Sequence, residues 1–144
     1  MRHLFLSLFL LLVFGVNTFA GDTAVSPNIL QSFQNKFSSA KEITWTAGPE
    51  IYKAEFVYRS QYLAAFYDAE GNMLALTKNI LSTQLPLFLG GSLRENYQDY
   101  WISDVIEFST EDGTSYYATV ENAEQKLVLK SSQNSWVVSK KIKK

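Results

Sequence analysis

Five consecutive residues, Asp68-Ala69-Glu70-Gly71-Asn72, gather two carboxylates, a side-chain amide and a glycine. Those are ingredients of a cation-binding loop. A calcium loop of the EF-hand kind also needs a distal bidentate acid and a glycine placed later in the loop. Here the glycine comes early and no acid follows within reach. The same residues suit the tip of a β-hairpin. Aspartate readily starts a turn, glycine supplies left-handed backbone, and apolar runs flank both sides. The segment is read as a turn.

Other chemistry is scarce. The single histidine is His3 and there is no cysteine, so past the N-terminal segment neither residue type occurs. That excludes Ser-His-Asp and Cys-His nucleophilic sites and the usual zinc sites. No GxSxG, Walker-type loop or dinucleotide fingerprint occurs. Gly90-Gly91 lies within an apolar helical pattern and makes a poor phosphate cradle. Carboxylate-only catalysis needs two acids flanking a bond, whereas Glu50, Glu55, Asp68, Glu107 and Glu121 are scattered over strands and turns. The expectation is a non-enzyme with no catalytic residues, no metal and no cofactor.

The N-terminus predicts export. Arg2 and His3 precede an apolar run from Leu4 to Val16, and Asn17-Thr18-Phe19-Ala20 places small residues before a cut at Gly21. The run is short for a span of about 20 residues, so residues 1–20 are expected to be a cleaved signal peptide. No membrane span is expected after cleavage, and the location is expected to be periplasmic or secreted. Residues 21–144 are then one domain's worth of chain. Without cysteine it relies on packing, which its aromatic side chains can supply. A net charge of −1 argues against nucleic acid as a partner. The tail Lys140-Lys141-Ile142-Lys143-Lys144 reads as a solvated, frayed terminus, with an anionic surface as its alternative contact.

The elements repeat. Ser26-Pro27 can open a helix, with serine as its cap, and Ile29, Phe33 and Phe37 recur every four residues. Period two follows: Ile43, Trp45, Ala47; then, after Gly48-Pro49, Tyr52, Ala54, Phe56, Tyr58. Ser60-Gln61 and Asp68–Asn72 are read as turns leading into Tyr62–Tyr67 and Met73–Lys78. In the second half Leu85, Leu89, Leu93 and Tyr97 form the helical stripe, with Ser82 or Thr83 near its start and Pro86 in its first turn. Strands are expected at 102–109, 115–121, 126–131 and 136–140. Tyr52-x-Ala54-x-Phe56 aligns with Tyr116-x-Ala118-x-Val120, and Leu63-x-Ala65 with Leu127-x-Leu129. The reading is an α+β fold of tandem αββββ units, about 27–79 and 82–140, forming an antiparallel sheet with two helices packed on one face.

The order of Trp45, Tyr52-x-Ala54-x-Phe56, Tyr67-Asp68-Ala69-Glu70-Gly71, Leu85-Pro86, Tyr97 and Tyr116-Tyr117-Ala118 resembles the PepSY-like proteins of Bacteroidetes, whose fold is similar to the beta-lactamase inhibitor protein. The resemblance covers essentially the whole of residues 21–144. It implies a small, exported, non-catalytic domain of tandem units, and it does not imply lactamase inhibition. The second unit departs from the pattern: Ser132–Trp136 stands where the first has its acidic turn.

Two helices on one sheet face leave the other open. Parity puts Lys53, Glu55, Val57, Arg59, Tyr62, Ala64 and Phe66 there, continued by Tyr117, Thr119, Glu121, Lys126, Val128 and Lys130. A mixed solvated face has that composition, and so has an interface. The candidate protein-binding residues are Arg59, Tyr62, Phe66 and Tyr117. The leading expectation is a protein partner bound through the open face, with inhibition as one use of that binding. The alternative is a small-ligand or envelope-component binder acting as a sensor or accessory factor.

Overall fold

The structure, a computed structural model, describes residues 24–144. The expected signal peptide, residues 1–20, lies outside the described residues. Helix α1 (Pro27–Lys36) is followed by strands β1 (Lys41–Ala47), β2 (Tyr52–Tyr58), β3 (Gln61–Tyr67) and β4 (Met73–Asn79). A short 3₁₀ turn (Ser82–Gln84) leads to α2 (Leu87–Asn96) and to β5 (Trp101–Thr110), β6 (Gly113–Glu121), β7 (Gln125–Ser132) and β8 (Ser135–Lys143). The eight strands form one antiparallel sheet in chain order, β1 to β8.

The alternation of apolar residues fixes the sheet faces as the sequence predicts. Under α1, Ile29, Phe33 and Phe37 pack on Ala54, Phe56, Ala65 and Tyr67. Under α2, Leu85, Leu89 and Leu93 pack on Val105, Ala118, Val120, Leu127, Leu129 and Trp136. Phe33 meets Phe56 edge to face at 4.9 Å and Trp45 at 5.3 Å. Burying each such side chain contributes about 1.5–3 kcal/mol, which is how a domain without disulfides holds together. Registers match between units: Ala54 pairs Ala65 and Phe56 pairs Leu63, just as Ala118 pairs Leu129 and Val120 pairs Leu127. Each unit's first strand also carries a register shift near its start, at Lys41/Thr44 and at Ile102/Asp104.

Several local expectations need correction. Ser26 precedes α1, but its hydroxyl makes no capping bond and is buried without a partner among the described residues. Pro27 alone pre-sets the first turn. Pro86 sits just before α2 rather than inside its first turn, because Ser82–Gln84 forms a separate 3₁₀ turn, closed by the Leu81 amide donating to Gln84 Oε1 at 2.8 Å. The β2–β3 turn is Arg59-Ser60, both at positive φ (50° and 63°), and Gln61 already pairs with Tyr58. That is the geometry of a two-residue hairpin whose twist matches its strands.

The basic tail is not frayed. Strand β8 runs to Lys143, pairing Lys126 with Ile142 and Gln125 with Lys143. Lys144 Nζ lies 2.7 Å from Glu121 and 4.6 Å from the centroid of the Trp101 ring. Cross-strand pairing and a local counter-charge outweigh the repulsion among the lysines.

Candidate interaction face

Both helices lie on one side, and the other side of the sheet has a core of its own. Phe66 on β3, Ala75 on β4, Phe108 on β5, Tyr117 on β6 and Val128 on β7 form a third apolar cluster, flanked by Ile51, Ala64 and Ile106. The rings of Phe108 and Tyr117 meet edge to face with centroids 6.0 Å apart. Among the described residues no helix covers them.

Charged groups surround this floor. Lys53 and Glu55 pair at 3.2 Å on β2. Lys130, opposite Tyr117 in the ladder, places its ammonium 5.9 Å from that ring's centroid. Burial pushes the Lys130 pKa down and the Tyr117 pKa up, since both charged forms lose water there. Lys126 and Lys144 flank Glu121. Hydrogen bonds from Lys144 and then Ser103 hold that carboxyl below its ordinary range. Asp104, hydrogen-bonded by Asn79 at 3.1 Å, is pushed the other way by desolvation, which its bonds to the Val105 amide and Asn79 only partly offset.

The four candidate residues separate into two pairs. Tyr62 is 70 % exposed, and Arg59 is an exposed turn residue with its guanidinium 5.2 Å from the Tyr58 ring centroid. Phe66 and Tyr117 are only 4 % and 9 % exposed and belong to the apolar floor. Tyr62 and Phe66 share a strand face four residues apart, about 13 Å along β3. The structure therefore joins Phe66 to Tyr117 and leaves Arg59 and Tyr62 at the end of the face.

The Asp68–Asn72 segment is the β3–β4 turn. The Asn72 amide donates to Asp68 Oδ1 at 2.8 Å and its side-chain amide to Oδ2 at 2.9 Å. Desolvation alone would raise the Asp68 pKa, but bonds from the Asn72 side chain and from the amides of Asn72, Glu70 and Gly71 lower it. Both carboxylate oxygens are engaged in holding the turn. Among the described residues no group of three or more acidic, histidine or cysteine side chains is placed to hold a metal.

Two surface features escaped the sequence reading. At the start of α2 Leu87 and Phe88 are 79 % and 69 % exposed, and Leu81, just before the 3₁₀ turn, is exposed too. Their signal was their place off the Leu85/Leu89/Leu93 stripe. On the open side a groove of about 710 Å³ is lined by Ile51, Phe66, Ala75 and Phe108, by Asn72–Leu74, and by the β5–β6 hairpin tip, Thr110–Ser115. Its existence depends on where strand pairing stops, which composition does not encode.

The fold has known counterparts. A BLIP-like protein from Bacteroides fragilis superposes with a TM-score of 0.70 at 20% identity, over 85% of this chain and 89% of its own. A DUF2874 family protein from Bacteroides ovatus gives 0.72 at 15% identity, over 85% and 89%. A candidate periplasmic protein from Bacteroides eggerthii gives 0.75 at 10% identity, over 84% and 90%. The chain has a BLIP-like fold. No family model matches the sequence, and no curated protein matches it.

Proposed function

We propose that this is an exported, non-catalytic binding domain whose sheet face opposite α1 and α2 recognises another protein. The observation that carries the reading is the apolar floor of Phe66, Ala75, Phe108, Tyr117 and Val128 on that face, ringed by Lys53, Glu55, Lys130 and Glu121 with Tyr62 and Trp101 exposed. An apolar centre with a charged rim and protruding aromatics is the usual anatomy of a protein interface. Location in the periplasm or outside the cell fits the leader-like N-terminus and the candidate periplasmic protein of the same fold. Inhibition is one use of such binding, and the fold alone does not assign it.

The test is affinity capture from an extract of the producing organism with three tagged baits. One is the unchanged chain from Gly21. The second carries Tyr62→Ser with Lys130→Glu on the open face. The third carries Leu87→Ser with Phe88→Ser on the helix side. The reading expects a partner retained by the first and third baits and lost by the second. A partner lost only by the third would move the interface to the helix side.

The groove supports a second reading, a small ligand or envelope component held on the same face. Its volume suits a drug-sized molecule. A thermal-shift series against small molecules separates the two, since only this second reading expects stabilisation without any protein partner.

A further inference from the structure

The groove on the open face arises from a fork between two strands. The β4–β5 ladder holds only from Leu76↔Ser109 to Asn79↔Ile106. Past Leu76, β4 continues towards its start at Met73, while β5 continues to Thr110 and turns back through β6. The two diverge and the groove opens between them, floored by Phe66, Ala75 and Phe108. A register shift on β3–β4 leaves Leu74 without a ladder partner, and that residue also lines the groove.

The second wall is what the repeat does not require. In the first unit the β1–β2 ladder ends at Ala47↔Tyr52, and residues 48–51 connect the strands. The equivalent pair, Glu107↔Tyr116, is followed by three more pairs out to Thr110↔Gly113. The second hairpin is thus four residues longer. The eight residues beyond that pair, 108–115, supply seven of the thirteen that line the groove, Phe108 and Thr110–Ser115. Nothing in packing the helices calls for that length.

The lining is selective in charge. It holds aliphatic and aromatic side chains, small hydroxyls and the two carboxylates Glu111 and Asp112, and no lysine or arginine. Neither carboxylate is in an ion pair among the described residues. The fork also offers strand edges where the β4–β5 ladder has stopped, a backbone template for an extended chain.

Resting on the protein-binding reading above, we propose that the partner enters this groove as an extended segment carrying Lys or Arg next to a Leu, Phe or Trp side chain. The apolar side chain enters the groove along Met73 and Leu74, and the cation meets Glu111 and Asp112. An acidic or phosphorylated segment is disfavoured, because it would place like charges at the hairpin tip.

The test is selection of peptides from a random displayed library on the full exported chain, with binders then measured by fluorescence anisotropy. The expected pool is enriched in Lys or Arg beside large apolar residues. Its binders weaken at least about tenfold on Glu111→Lys with Asp112→Lys, and less on Glu111→Gln with Asp112→Asn, with affinity falling as salt rises. Both changes lie in an exposed turn, so circular dichroism should show an unchanged fold. Binders lacking cationic enrichment, binders indifferent to the hairpin changes, or no binders at all overturn the groove assignment. Binders lost on Tyr62→Ser with Lys130→Glu but indifferent to the hairpin overturn it while leaving the open-face reading intact.

Discussion

Phe108 and Tyr117 lie edge to face, 6.0 Å between centroids, on the side of the sheet opposite α1 and α2. They are diagonal neighbours two residues out of register, since Phe108 pairs with Ser115 and Tyr117 with Ile106. Their contact closes the floor of the open face across β5 and β6. A surface that would otherwise be an ordinary solvated sheet thereby gains a packed centre.

That packing has a measurable size. Phe108→Ala should lower unfolding stability by about 3 kcal/mol, the cost of emptying a buried aromatic site. Urea denaturation at constant m-value reports it. A loss under about 0.5 kcal/mol, typical of surface positions, would mean that the floor is not packed.

Two glycines should respond with opposite signs. Gly71 has φ +89°, and a Cβ there would lie 3.1 Å from the Asn28 carbonyl oxygen at the start of α1. Gly71→Ala should therefore cost more than about 1 kcal/mol. Gly91 is helical and a Cβ would meet nothing within 4 Å. Gly91→Ala should raise stability by about 0.5–1 kcal/mol. Thermal unfolding of the pair checks both.

The parity of β2, β3, β6 and β7 was legible because the helix-covered side demands strict alternation, visible in Tyr52, Ala54 and Phe56 and again in Tyr116, Ala118 and Val120. The burial of Phe66 and Tyr117 was not, because alternation assigns a residue to a face without saying how much of it is covered there. The tail misled for a related reason. Four lysines signal solvent, and only the pairing of Lys126 with Ile142, with Glu121 beside Lys144, reveals a strand. The groove depends on the β4–β5 ladder ending at Leu76↔Ser109, a property of pairing between distant segments.

Tyr67 is fully buried, its hydroxyl has no hydrogen-bond partner among the described residues, and burial pushes its pKa up to about 12. Removing an unpaired buried hydroxyl removes its desolvation cost. Tyr67→Phe should raise stability by about 1 kcal/mol in urea denaturation. An equal loss would show that the hydroxyl is bonded.

Asp104 sets a pH dependence. Desolvation raises its folded pKa above the ordinary 3.8, so folding favours the protonated form. Its contribution to stability is fully present below the unfolded pKa and is lost as pH rises through the folded one. Asp104→Asn keeps an oxygen for Asn79 and removes the charge. The variant's advantage should be absent at pH 3, grow above about pH 3.8 and level off once the folded carboxyl has ionised. Melting temperatures of both proteins across that range test it, and a constant difference would contradict it.

The central claim is that the sheet face opposite α1 and α2 binds a protein. The most direct measurement places a photo-crosslinking amino acid at Tyr62, at Lys130 or at Phe88 and irradiates each protein in an extract of the producing organism. The account predicts a common adduct from positions 62 and 130 and none from 88. An adduct from 88 with nothing from 62 or 130 would contradict it and move the interface to the exposed apolar residues at the start of α2. No adduct from any position would remove the support for a protein partner on either face.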